Sequence, residues 1–164
     1  KMWLDEAWGE GRHVKRVEKI DDHSGIVLTN GVFDILHKGH IELLKFSKNQ
    51  GDKLIVAIDS DERVRQLKGE DRPINNEEDR RKVLETNRYV DSVVTFNSSE
   101  ELKTLYETLC PDVVVKGSEW TADELRERDE IPDTIQVKVY PLVGDYSTTN
   151  TMEKIRNMGS CEKI

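Results

Sequence analysis

The sequence predicts an α/β fold in which a mostly parallel, doubly wound sheet of about five strands carries helices on both faces. Two observations predict it. Short apolar runs alternate with amphipathic segments along most of the chain, and the runs are continuous in β-branched residues, as strands buried on both faces require. The 164 residues suffice for one ordinary domain with a usable core. Residues 25–164 read as that domain. Residues 1–24 mix charges with Trp3, Trp8, Gly9 and Gly11, hold neither helical nor strand periodicity, and read as an N-terminal arm.

The first strand is Gly25-Ile26-Val27-Leu28-Thr29. Ile41, Leu43, Leu44 and Phe46 then recur at helical spacing across residues 38–49, before Gly51 closes the helix. Residues 53–58, rich in Ile and Val, form the second strand; 59–67 a short helix; 68–73 a loop; and 76–89 a polar-faced helix with Asn76 as N-cap. Strand, helix and strand follow at 92–96, 99–109 and 112–115, then a loop containing Trp120, a strand at 135–140 and a helix at 147–157. The order is Rossmann-like. In such sheets ligands bind beyond the carboxyl ends of the strands, so the residues just after each strand carry the functional information.

Lys and Arg number 25 against 33 Asp and Glu, for a formal net charge of -8 and a pI near 5.1. An acidic balance provides no global field for nucleic acid or anionic lipid, so neither is an expected partner. No run approaches the roughly 18 apolar residues of a membrane span, and residues 1–12 lack a signal peptide's apolar stretch. A cytoplasmic setting is expected. Cys110 and Cys161 lie far apart and outside any C-x-x-C pair, and read as reduced thiols.

After the first strand comes Asn30-Gly31-Val32-Phe33-Asp34, and then His37-Lys38-Gly39-His40 opens a helix. At i and i+3 the two histidines share one side of a helical turn, with Gly39 leaving the backbone uncovered beside them. Two imidazoles, a lysine and free N–H groups at a helix N-terminus make an anion site, and a phosphate chain is the fitting anion. A metal reading of the pair lacks a third ligand: His13 and His23 fall in the arm, and His-x-x-His is not the zinc spacing, so no metal ligands are assigned. P-loop and dinucleotide glycine fingerprints are absent. Asp59-Ser60-Asp61, after the second strand, reads as a helix N-cap as readily as a metal set.

Gly31-Val32-Phe33-Asp34 with His37-Lys38-Gly39-His40 resembles the G-x-F-D-x-x-H-x-G-H signature of the cytidylyltransferase-like nucleotidyltransferases. Leu67-Lys68-Gly69-Glu70-Asp71-Arg72-Pro73, Glu78-Asp79-Arg80, Val115-Lys116-Gly117 and Tyr146-Ser147-Thr148-Thr149-Asn150 resemble further blocks of that family, extending the likeness over residues 25–157. Within the family, L-K-G-x-x-R-P, V-K-G and S-T-T-N are most similar to the adenylyltransferases that make ADP-heptose from a heptose 1-phosphate. Residues 85–91 and 117–120 also resemble the glycerol-3-phosphate cytidylyltransferases. Those enzymes carry an arginine shortly before Ser-Thr, where this chain has Leu142-Val143-Gly144-Asp145-Tyr146. The missing arginine favours ATP over CTP.

The resemblance implies transfer of a nucleoside monophosphate from a triphosphate to a sugar or polyol phosphate, with release of pyrophosphate. An acceptor phosphomonoester has its second pKa near 6 and is already ionised at pH 7, so no general base is required. The protein must align two anions and cancel charge on the transferred and leaving phosphoryl groups. By resemblance, His37, His40, Lys68 and Arg80 are catalytic, with His40 on the oxygens that gain charge. Asn30, Gly31, Val32, Phe33, Gly39, Lys116, Gly117, Ser147, Thr148 and Thr149 are nucleotide-binding, and Arg72 and Trp120 substrate-binding. Mg²⁺, held largely by phosphate oxygens and water, and a homodimer complete the expectation. The alternatives are a cytidylyltransferase acting on glycerol 3-phosphate or another polyol or pentose phosphate, and a nucleotide-binding module without turnover. Lys68, Arg72 and Arg80 sit among Glu70, Asp71, Glu77, Glu78 and Asp79, where each also reads as a solvated surface charge. Ser147 also reads as an N-cap, and Asp34 as a residue that orders the turn through its backbone.

Overall fold

The computed structural model describes residues 25–141, 144 and 146–159. The arm assigned to residues 1–24 lies outside them, as do Cys161, Leu142, Val143 and Asp145. The elements run β1 (Ile26–Gly31), α1 (Lys38–Lys48), β2 (Lys53–Asp59), α2 (Asp61–Lys68), α3 (Glu77–Glu85), β3 (Ser92–Phe96), α4 (Ser99–Leu109), β4 (Val113–Gly117), α5 (Ala122–Arg128), β5 (Gln136–Tyr140) and α6 (Thr148–Met158). One five-stranded sheet has the order β3-β2-β1-β4-β5. Every neighbouring pair is parallel, so the expected mostly parallel sheet is wholly so.

Consecutive residues of the central strands serve opposite faces, because the side-chain period of a strand is two. Leu28, Ile55, Ala57, Val94 and Val114 pack under Leu102, Leu105, Tyr106 and Leu109 of α4. Val27, Leu54, Val56, Val93 and Val115 pack under Leu43 and Leu44 of α1 and Leu84 of α3. Two cores separated by one sheet explain why the strands read as unbroken apolar runs.

Several segments differ from the sequence reading. Strand β1 extends through Asn30 and Gly31, which pair with Ala57 and Ile58, so the turn begins later than expected. The helix expected over 76–89 ends at Glu85, where Thr86 caps it and the Asn87 side chain accepts from the Tyr89 amide to turn the chain toward β3. The stretch read as a loop around Trp120 contains α5. Thr121 opens it with a capping box, its hydroxyl accepting from the Glu124 amide while the Glu124 carboxylate accepts from the Thr121 amide. The fully buried Leu125 anchors that helix to the sheet.

The loops at the carboxyl edge are braced by two buried side chains. Asp34 accepts from the Ile74 and Asn75 amides at 2.8 and 2.9 Å, and its carbonyl accepts from the Asn75 side chain at 2.9 Å. Asp34 therefore orders two loops through its carboxylate, and not its own turn through backbone alone. Arg80, 1 % exposed, donates to the Val32 carbonyl at 2.8 Å, the Asn75 carbonyl at 3.0 Å and the Asp61 carboxylate at 2.8 Å.

Arg80→Met should lower unfolding stability by about 2–4 kcal/mol, because two carbonyls and a carboxylate lose their buried donor. An unchanged urea midpoint would contradict the bracing role. At Gly51 an added Cβ would stand 2.5 Å from the Gly25 carbonyl oxygen and 2.8 Å from the Val27 side chain. Gly51→Ala should therefore cost about 1–3 kcal/mol by the same measurement, and no loss would mean that the start of β1 shifts freely.

Candidate active site

A cavity of about 680 Å³ opens at the carboxyl edge of the sheet, where β1 and β4 lie side by side although the chain leaves them for opposite flanks. This is the topological switch point at which such sheets bind ligands. Asn30, Gly31, Val32 and Phe33 enter the cavity from the end of β1, and His37, Gly39 and His40 from the start of α1. Lys68 and Arg72 border it from the β2 side, Lys116 and Gly117 from the end of β4, and Ser147, Thr148 and Thr149 from the start of α6. The structure thus gathers fourteen of the expected residues, all but Arg80 and Trp120, around one space.

Arg80 is the first exception. Its guanidinium, assigned to catalysis in the sequence, is buried, donates to the Val32 carbonyl of the β1–α1 loop and does not line the cavity. Trp120, assigned to substrate binding, is half exposed and outside the cavity wall. Asp59 pairs with Arg63 at 2.7 Å and Ser60 is the N-cap of α2, so the metal reading of Asp59-Ser60-Asp61 gives way to the capping one. Among the described residues no three His, Cys, Asp or Glu side chains are grouped to hold a metal ion.

The two histidines are arranged by the helix they open. His37 is the N-cap of α1, and its Nδ1 accepts from the His40 amide at 3.4 Å. The rings stack with centroids 3.8 Å apart, and Phe33 flanks His40 at 5.1 Å. Phe33 holds φ at 49°, a left-handed conformation for a side chain with a Cβ, and its ring is buried. At Gly39 a Cβ would meet the His37 ring at 3.1 Å and Tyr146 Cβ at 3.2 Å, so glycine lets the imidazole and Tyr146 lie close over the helix start without displacement. Ser147 caps α6 by accepting from the Asn150 amide at 3.0 Å, which leaves the first N–H groups of that helix beside the cavity.

Burial lowers the pKa of several lining groups. The His40 imidazole is pushed down to about 4, first by burial and then by His37 and Lys68, while the Ile35 carbonyl acts in the opposite sense. Its Nδ1 is buried with no partner at hydrogen-bonding geometry. Burial also lowers His37 and Lys68, the latter helped by Arg72 and opposed by Asp59 and Asp34. Arg72 rests against Asp34, 3.4 Å away. The Lys116 ammonium is lowered by burial and supported by Asp129 at 2.5 Å, and it also donates to the Asn30 side chain. The site is therefore a donor-rich concavity lined by imidazoles, lysines and an arginine.

Other lining residues escaped the sequence reading. Glu42 belongs to the first turns of α1; Ser118, Leu125 and Arg128 follow β4; Tyr140 ends β5; and Tyr146 precedes the α6 cap. The Thr121-x-x-Glu124 spacing before Leu125 is a legible signal for α5 and hence for its contribution to the wall.

His40 carries a pH dependence with a definite sign. Its native pKa lies below the unfolded value of 6.5, so as pH falls through 6.5 toward about 4 the unfolded chain takes up a proton first and stability declines. Between pH 7 and 5 the wild type should lose more urea stability than His40→Gln, and parallel losses in the two proteins would refute that assignment.

The comparisons agree with this architecture. The cytidylyltransferase-like family model matches residues 28–157. The bifunctional protein HldE of Campylobacter fetus is 38% identical over 93% of this chain and 36% of its own length. The HldE of Koribacter versatilis is 45% identical over 79% of this chain and 26% of its own. The chain thus spans about a quarter to a third of the length of these curated relatives. Among solved structures, the lipopolysaccharide core biosynthesis protein from Thermoplasma volcanium superposes with a TM-score of 0.59 and 31% identity, over 74% of this chain and 98% of that one. Pantothenate synthetase from Thermus thermophilus shares the fold at a TM-score of 0.52 and 14% identity, over 81% of this chain and 65% of that one. On the family model's span and on these likenesses, the chain belongs to the cytidylyltransferase-like family.

Proposed function

We propose that this chain is a nucleotidyltransferase that moves AMP from ATP to a sugar 1-phosphate, a heptose 1-phosphate being the best candidate, and releases pyrophosphate. The observation that carries the reading is the convergence of two helix N-termini, two stacked imidazoles and the cations Lys68 and Arg72 on one cavity at the switch point. A triphosphate laid across the starts of α1 and α6 meets N–H groups and hydroxyls of Thr148 and Thr149. Lys68 and Arg72, on the β2 side, face the acceptor phosphate or the leaving pyrophosphate.

The acceptor phosphate oxygen attacks the α-phosphorus, a new P–O bond forms, and the bond to the β-phosphoryl oxygen breaks with its electrons leaving on pyrophosphate. No lining residue need act as nucleophile or base. His40 is neutral in the free site, and an adjacent phosphate anion favours its protonated form, so its contact strengthens as charge moves onto the bridging and leaving oxygens. A divalent cation such as Mg²⁺ fits as a companion of the triphosphate, coordinated by phosphate oxygens and water, because the lining offers donors and cations in place of a carboxylate cage. When bound it would neutralise phosphate charge. A homodimer and a cytoplasmic setting belong to the same reading.

Pyrophosphate release measured with ATP and CTP against heptose 1-phosphate and glycerol 3-phosphate tests the proposal. Turnover with ATP and the sugar 1-phosphate is the expected result; turnover confined to CTP would make the chain a cytidylyltransferase, and triphosphate binding without turnover a binding module. His40→Ala should lower kcat about 10²- to 10³-fold with a much smaller change in ATP affinity. Equal losses in rate and affinity would deny it a transition-state role.

A further inference from the structure

Trp120 stands outside the cavity, but the side chain it supports does not. The Arg128 guanidinium carbon lies 5.2 Å from the centroid of the Trp120 ring, above its face, and Arg128 lines the cavity on the β4–β5 side. Two further bonds fix the guanidinium: Nε donates to Asp129 Oδ1 at 2.8 Å and Nη2 to Oδ2 at 3.3 Å. Asp129 also holds Lys116, whose ammonium reaches back to Asn30 at the end of β1. Arg128 is thus mounted on an indole, squared along one edge by a carboxylate that is itself tied to the sheet, and still about half exposed, 48%.

The cavity is not uniform across its width. Its centre holds the helix starts and the histidines, its β2 side holds Lys68 and Arg72, and its β4–β5 side adds the Tyr140 ring and Arg128 beside the Gly117 backbone. A nucleotide whose phosphates occupy the centre finds apolar and planar surface for its base on the β4–β5 side. There Asp129, shared between Arg128 and Lys116, fixes the guanidinium by two bonds, so that its plane as well as its charge is presented at a set orientation.

We propose that Arg128, mounted on Trp120 and fixed by Asp129, is a stacking platform for the nucleobase and a specificity-determining residue that favours a purine over a pyrimidine triphosphate. The inference rests on the nucleotidyltransferase reading and extends it to the choice of base. Two fused rings overlap a guanidinium plane more fully than one, so ATP gains more from the platform than CTP. Trp120 then acts as a positioning residue, through the orientation of Arg128.

Calorimetric binding of ATP, CTP and tripolyphosphate in the presence of Mg²⁺ separates the possibilities. Arg128→Lys keeps the charge and removes the plane. It should weaken ATP about tenfold, CTP about threefold or less, and tripolyphosphate by less than about twofold, since the stacking surface is lost while the charge is kept. Trp120→Ala should reproduce the ATP effect in weaker form, about threefold. Equal weakening of tripolyphosphate would make Arg128 a phosphate cation, and unchanged ATP affinity would make it a surface charge; either result overturns the proposal. If the wild-type chain binds no triphosphate at all, the nucleotidyltransferase reading itself falls.

Discussion

Two buried charged side chains, Arg80 and Asp34, hold the carboxyl-edge loops in register, and the site exists only because they do. One guanidinium bonds the β1–α1 loop at Val32, the segment before α3 at Asn75 and the first turn of α2 at Asp61. One carboxylate closes the same seam from the other side, through the Ile74 and Asn75 amides and Arg72. The loop that ends in His37 and the loop that carries Arg72 thereby become one body. Each buried ion is neutralised by several partners, the condition under which burying charge is tolerable.

The sheet follows from simpler physics. Continuous apolar runs require burial on both faces, and helices spaced between them leave a parallel, doubly wound arrangement as the economical solution. The fold is legible in the sequence for this reason, with α5 as the exception. Ala122–Arg128 is too short to display helical periodicity, and Trp120 draws attention to the neighbouring loop, although the Thr121 capping box marks the start. The end of α3 is hard to place from sequence because Arg88 and Tyr89 continue a helical composition, while the Asn87 side chain turns the chain away.

Candidate site residues are legible where a strand end and a helix start coincide in sequence, as at Asn30 to His40. They are less legible where three-dimensional approach decides. Arg80 and Arg72 belong to the same charged stretch, yet one is buried away from the cavity and the other lines its wall, a difference set by which carbonyls and carboxylates fold over each. Arg128 carries no sequence signal of its own, because its place depends on Asp129 being drawn to Lys116 across the β4 edge.

The capping bond of His37 has a consequence for the kind of atom the site can recognise. The Nδ1 lone pair is committed to the His40 amide, so a neutral imidazole must carry its hydrogen on Nε2. The tautomer is written into the start of the helix, and a proton added at Nδ1 would dislodge the cap. Together with the ammonium of Lys68 and the exposed amides of α1 and α6, this part of the wall offers hydrogens and few lone pairs. An oxyanion laid beside His37 meets a donor there, so chemical discrimination begins with the polarity of a single ring nitrogen.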